Sequence, residues 1–338
     1  RFNNSLSSNI MLILLFISSL TMLMSGMVAN FEFDLKKIIA LSTLSQLGLM
    51  MSILALGDVM LAFFHLLMHA LFKALLFMCA GSMIHNLNGL QDIRYMGYVI
   101  NFMPLTSSFF NISNLALCGL PFFSGFYSKD IILEYVSGSY FSLYIYIVFY
   151  LSIGLTASYS FRLLYYTLFN NFNGSAFMLI SDYSLIMLKG MGGLIFFVVL
   201  GGSFMYWVMF PIPYFIFLPF SLKMMVLLMV FIGSMLGYSL SLFSLMDNSL
   251  MLKYKNMSFI FSSMWNLNYL TTFGMNFYFF NLGGQISVKV DQGWLEYLGS
   301  NNIYLTIKNN SLTFQSIFSI NFMMFMVTLL VWIIFLYF

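Results

Sequence analysis

His65, His69 and Lys73 stand at i, i+4 and i+8 inside an apolar run covering residues 60–84. On a helix this spacing puts all three on one face, about 6 Å apart along the axis, and spans roughly 12 Å of a hydrocarbon layer ~30 Å thick. Histidine exchanges a proton near neutrality, and a lysine taken out of water holds its proton less firmly. An ionisable side chain at the bilayer centre costs about 2.5–3.5 kcal/mol on insertion scales, so it persists only with a partner or a purpose. One buried histidine is ordinarily a satisfied core residue. Three titratable groups in register point instead to proton transfer along a row.

A second candidate is Lys129-Asp130, which follows Pro121-Phe122-Phe123-Ser124-Gly125 within the long run 104–136. Pro121 removes an amide donor, and Gly125 adds freedom where a helix should continue. A break at membrane depth is tolerated only where protein or a wet cavity satisfies the freed backbone, and discontinuous helices mark ion sites in transporters. Lys129 is therefore a candidate for the same chemistry, whereas Glu134, one turn on, suits the headgroup region. Arg162 lies near the end of its run and is expected to snorkel to the surface. Glu32, Asp34, Lys36 and Lys37 open another run and read as an interfacial belt. Cys79 and Cys118 sit in apolar runs without CxxC or Cys/His spacing and read as packing residues. Gly190, Gly192 and Gly193 open an apolar run with no strand before them, so they are not a nucleotide loop. With no iron–sulfur, haem or flavin signature, no redox centre, cofactor or metal site is expected in this chain.

The elements that hold these residues must be membrane helices. Of 338 residues, 61% are hydrophobic and 7% charged, against about 25% charged in a soluble domain. Apolar runs cover residues 10–29, 35–56, 60–84, 104–136, 140–169, 186–210, 218–246 and 320–338. Runs this long are helices, because hydrocarbon admits only helices and closed barrels. The expected fold is all-α: a polytopic transmembrane bundle with broken helices. The net charge of +3 carries no basic stripe, which argues against nucleic acid as a partner. Lys36, Lys37, Arg94, Lys189, Lys253 and Lys255 fall on alternate connectors, against Arg1 and Lys223 on the other side. By the positive-inside rule the richer side faces the matrix or cytoplasm.

Residues 285–319 differ in character. Ile286, Val290, Trp294 and Leu298 recur every fourth position, with Lys289, Gln292 and Glu296 opposite, so the first half reads as an amphipathic surface helix. Gly299, Asn301 and Asn302 are expected to interrupt it, and the asparagines of 257–284 suggest an interfacial segment rather than a span. With Arg1 in place of an initiator methionine, the sequence is expected to be the C-terminal portion of a longer chain. The wealth of Met, Phe, Ile, Tyr and Asn, with three arginines, fits an AT-rich genome such as a mitochondrial one.

The segment Asp34-Leu35-Lys36-Lys37-Ile38-Ile39-Ala40-Leu41-Ser42-Thr43-Leu44-Ser45-Gln46-Leu47-Gly48 resembles a signature of the antiporter-like subunits of respiratory complex I. His65-Leu66-Leu67-Met68-His69-Ala70-Leu71-Phe72-Lys73-Ala74, residues 81–88 and Gly125-Phe126-Tyr127-Ser128-Lys129-Asp130 extend the likeness, which is strongest from Asp34 to Asp130. Asp291-Gln292-Gly293-Trp294 and the amphipathic tail with its terminal anchor narrow it to one member of that family. The resemblance implies a proton-pumping subunit of the inner mitochondrial membrane, at the distal end of the membrane arm and related to Mrp-type cation/proton antiporters. It implies a second five-helix repeat over 1–169, two further membrane helices over 170–246, a linker and lateral helix over 247–319 and an anchor over 320–338. Lys73 becomes the central lysine, fed by His65 and His69, and Lys129 the exit-side lysine; Asp34, Lys37 and Asp130 are secondary. NAD, FMN, iron–sulfur clusters and ubiquinone would belong to partner subunits. The expected partners are those membrane-arm subunits, including neighbouring antiporter-like ones along the lateral helix, together with lipid and protons. Two other readings stand beside it. A stand-alone antiporter generally lacks a lateral helix with an anchor, and a purely structural subunit does not require the His65–His69–Lys73 row.

Overall fold

The computed structural model describes residues 3–138, 143–175, 178, 180–182, 184–242, 255–320 and 322–338. Lys253 and parts of the 140–169 and 218–246 runs lie outside the described residues. The chain divides into two compact units, Arg1–Trp265 and Asn266–Phe338. Among the described residues the first unit is helical, apart from one isolated bridge between Asp34 and Asp92.

The expected runs appear as α1 (Ser8–Ala29), α2 (Leu35–Ala55), α3 (Val59–Asn86), a short α4 (Val99–Phe102), α5 (Pro104–Cys118) and α6 (Ser124–Gly138). After them come α7 (Leu143–Leu164), which ends in the π turn Tyr165–Phe169, then α8 (Leu185–Met209), α9 (Phe220–Leu242) and α10 (Lys255–Ser262). Six of these helices are long and apolar enough to cross a membrane: α1, α2, α3, α7 with its π turn, α8 and α9. α5 and α6 are 15 residues each, too short to cross alone. α3 is the axis of the unit and packs against α2, α5, α6 and α8, while α7 packs against α1, α5 and α9. α8 and α9 bury few side chains and present Phe196, Phe197, Trp207, Phe231 and Leu236 outward, as lipid-facing helices do.

Small residues set how closely these helices approach. Gly233 and Gly237 on α9 lie so near Gly154 and Ser158 of α7 that a Cβ at either would run into α7 backbone. This is a GxxxG seam, in which backbones touch because hydrocarbon offers no hydrophobic drive for association. At the α5 end, Asp182 caps the helix by accepting from the Leu105 amide at 2.9 Å.

Arg162 departs from expectation. It is buried, and its guanidinium donates to the carbonyls of Asn30 at 2.5 Å, Ala29 at 3.0 Å and Glu32. The reason is the end of α1: its last carbonyls lack partners within the helix, and the fork of an arginine satisfies several at once. The Phe33 ring lies under Arg94 at 4.3 Å and under Arg162 at 5.5 Å. The connector after α3 is tied here too, through Leu35 N–H to Gln91 O and Ile93 N–H to Phe33 O. Partial burial pushes the Asp92 carboxyl up, but hydrogen bonds from Arg94 outweigh it and hold the group below its usual range.

The second unit is a long helix, α11 (Leu267–Ser319), followed by the apolar α12 (Phe322–Tyr337). Gly299, Asn301 and Asn302 do not interrupt α11, and the helix starts well before residue 285. It widens into π turns at Leu270–Gly274, Ser287–Leu295 and Tyr297–Asn301. A π turn absorbs an extra residue while keeping the backbone hydrogen-bonded, so helix-weakening residues are carried through. No side chain of either helix is buried among the described residues, and Ile286, Val290, Trp294 and Leu298 are all exposed.

Candidate functional site

The row on α3 lies inside the bundle. His65, His69 and Lys73 are all buried, and Lys73 is only 4% exposed. Polar side chains from other helices meet both ends of it. Lys73 Nζ donates to Ser42 Oγ on α2; Ser42 in turn donates to the Ile39 carbonyl at 2.7 Å, leaving its lone pairs for the ammonium. His65 lies 3.2 Å from Gln46 Oε1 through Nε2 and 2.9 Å from Ser128 Oγ through Nδ1. With the proton on Nε2 donated to Gln46, Nδ1 is free to accept from Ser128. Between them, the His69 and His65 ring centroids are 6.4 Å apart, and His69 Nε2 is buried without a direct partner.

Ser42 and Gln46 are themselves i, i+4, so α2 offers one acceptor to each end of the α3 row. Serines in membrane helices usually bond to the carbonyl three or four residues back, and most here do, including Ser19, Ser25 and Ser82. Ser42, Gln46 and Ser128 thus carried no visible signal beyond lying on helices that face the row.

The break in the 104–136 run is built in steps. α5 ends in a Schellman cap: Leu120 N–H reaches Leu115 O and Gly119 N–H reaches Ala116 O, with Gly119 at φ +82. Phe122 follows at φ 72, a conformation that costs a side chain with a Cβ about 1–3 kcal/mol and that recurs at functional sites. α6 then starts so close to α5 that a Cβ on Gly125 would overlap the Ala116 carbonyl. Lys129, 2% exposed, projects back into this junction. Its Nζ donates to Thr156 Oγ1 of α7 at 2.8 Å and reaches the Leu117 carbonyl at 3.5 Å. That carbonyl belongs to the last turn of α5, the negative end of a helix dipole, which favours a cation.

Lys129 follows Ser128 in the chain, so one turn of α6 carries both the partner of His65 and the lysine, their side chains directed to different neighbours. The structure brings His65, His69 and Lys73 onto one buried face with Ser128 against His65, and holds Lys129 one residue further on at the α5–α6 junction. Asp130 stays beside the lysine, its Oδ1 and the Lys129 stem both close to Gly119, and it lines a cavity of about 400 Å³ with Pro121, Phe126, Glu134, Phe220 and Lys223. Asp34 and Lys37 form an exposed ion pair, 2.7 Å long, at the start of α2. Among the described residues no group of three or more His, Cys, Asp or Glu is placed to hold a metal.

Comparison with known proteins bears on this arrangement. Residues 2–156 match the family model described as "NADH:quinone oxidoreductase/Mrp antiporter, TM", and residues 159–338 match "NADH dehydrogenase subunit 5 C-terminus". Similar proteins are named NADH-ubiquinone oxidoreductase chain 5. That of Anopheles quadrimaculatus is 52% identical over 302 residues, covering 89% of this chain and 52% of that protein. The Locusta migratoria protein is 49% identical, covering 94% of this chain and 56% of its own length. The earthworm Lumbricus terrestris protein is 37% identical, covering 90% and 53%. The chain spans about half the length of the curated relatives it matches. The antiporter-type match contains the buried lysines and histidines, the subunit 5 match takes up the rest including α11 and α12, and the chain belongs to the NADH dehydrogenase subunit 5 family.

Proposed function

We propose that this chain is the C-terminal part of a proton-translocating subunit in the membrane arm of complex I, in the inner mitochondrial membrane. Electron transfer from NADH to ubiquinone belongs, on this reading, to other subunits, and this chain moves protons through buried lysines and histidines. Residues 1–169 then form the second antiporter-like repeat, 170–246 two added membrane helices, 247–319 the linker and lateral helix, and 320–338 the anchor. The observation that carries the reading is the buried row from Lys73 through His69, His65 and Ser128 to Lys129.

The row suits proton transfer because its members have alternative partners. When His65 takes up a proton, Nδ1 turns from acceptor to donor, and Ser128 must stop donating to it. Ser128 has somewhere to turn, since the carbonyls of Gly125 and Ser124 lie 3.3 and 3.4 Å away. Its oxygen then accepts from His65 at the turn of α6 that carries Lys129. Lys129 holds its proton against Thr156 and the Leu117 carbonyl, both neutral, so a small movement of nearby charge decides whether it stays.

Lys129→Ala is expected to cut pumping about tenfold per assembled complex, because a positioned proton carrier is lost while Asp130 remains nearby. Lys129→Glu should keep part of the rate, since a titratable group stays at the junction. The assay is proton uptake with NADH oxidation in reconstituted vesicles. Parent rates from the alanine variant would place the exit elsewhere.

The charge bias further assigns the Arg94 connector to the matrix and the Pro121–Phe122 break to the intermembrane-space half. Tyr95→Cys, and Ile212→Cys on the α8–α9 connector at the opposite end, both exposed, test this with a membrane-impermeant thiol reagent. Ile212→Cys should react from the intermembrane-space side and Tyr95→Cys from the matrix. The reverse pattern would invert the topology.

A further inference from the structure

Tyr159 is a large polar side chain close to the row for which the proton path above has no use. It sits on α7, 1% exposed, with its ring in the core beside α2 and α5. Its hydroxyl lies close to Ser42, Ser45 and Gln46 of α2, without full hydrogen-bond geometry to any one of them. Two of the three groups it faces are already engaged with the α3 row, since Ser42 accepts from Lys73 and Gln46 accepts from His65. Three residues earlier on the same helix, Thr156 holds Lys129. One residue later, Ser160 bonds Cys118 at 2.8 Å, at the end of α5 beside the break. α7 therefore touches the partner groups of both lysines within a turn and a half.

We propose that Tyr159 is a positioning residue that joins the α2 acceptors of Lys73 and His65 to the helix that holds Lys129. The inference rests on the proton-relay reading above. Gln46 and Ser42 each have spare hydrogen-bonding capacity, and a phenol can donate or accept. When Tyr159 donates to Gln46 Oε1, it shares that oxygen with the His65 Nε2 proton; when it turns to Ser42, it shares the hydroxyl oxygen with the Lys73 ammonium, and each shared bond weakens the other. A small shift of α7 then changes the hold on both ends of the row together, with Thr156 moving on the same backbone. A packing role needs only the ring, and phenylalanine keeps the ring.

The test uses the whole complex carrying Tyr159→Phe, Gln46→Leu, the two combined, or Lys73→Ala, with rates expressed per assembled complex. Tyr159→Phe is expected to lower the ratio of protons moved to NADH oxidised about fivefold. Gln46→Leu should lower it as well, and the double variant should fall short of the two effects added, because the tyrosine acts in part through that acceptor. A fully additive double variant would overturn the inference, as would a parent ratio for Tyr159→Phe beside a silent Lys73→Ala. A Lys73→Ala complex that pumps like the parent removes the relay reading itself, and this inference falls with it.

Discussion

Lys73→Ala is expected to silence proton translocation through this chain, by about a hundredfold, while the complex still assembles. Lys73 is the end of the α3 row farthest from the break. Alanine there leaves His69 with no titratable neighbour on that side, and an isolated charge does not cross ~12 Å of hydrocarbon unaided. A positioned proton carrier contributes about 10²–10⁴-fold to such a step, which sets the size of the effect. The fold should survive. Ser42 keeps its bond to the Ile39 carbonyl, and Phe72, Leu75 and Leu76 continue to pack the helix into its core. Vesicles with the variant should oxidise NADH with little acidification of the receiving side. Pumping at the parent rate in an assembled complex would make Lys73 a packing residue.

The second large effect concerns the other unit. Ending the chain after Gln285 removes the latter part of α11 and all of α12, and is expected to reduce this subunit in the purified complex to under about a tenth. α11 is about 80 Å long at 1.5 Å per residue, and its apolar side chains, with those of α12, lie uncovered. Exposed apolar area of that extent marks a surface meant for lipid or protein. A standard protein–protein interface buries about 1,200–2,000 Å², which a helix of this length can supply. No buried ionisable row is found on it among the described residues, so its contribution is to assembly. Quantifying each subunit after detergent extraction decides the matter. A truncated chain recovered in full amount, in a complex that pumps normally, would show the helix to be dispensable.

Much of this arrangement is legible in the sequence, for definite reasons. The helices announce themselves because hydrocarbon demands long apolar runs, and His65, His69 and Lys73 stand out because little else inside those runs is ionisable. The break shows as Pro121 with Gly125. Which neutral side chains turn toward the row is not legible. Ser42, Gln46, Ser128, Thr156 and Tyr159 come from three other helices, and only packing brings them in. Arg162 misleads because its distance from a span end suggests snorkelling, whereas the open carbonyls at the end of α1 offer a nearer partner. The long helix misleads in the opposite way, since glycine and asparagine weaken a helix by propensity while a π turn accommodates them.

The Arg162 contacts also bear on how the chain is made. The arginine and the Asn30 carbonyl it grips are 132 residues apart, so α1 leaves the ribosome long before its staple does. At about 5–20 residues per second the interval is roughly 7–26 s. Throughout it, α1 through α6 must be held in the lipid or the insertion machinery without that lock. The end of α1 is then expected to act as a checkpoint in biogenesis: resistance to extraction or proteolysis should appear when α7 enters, not progressively as each earlier helix is added.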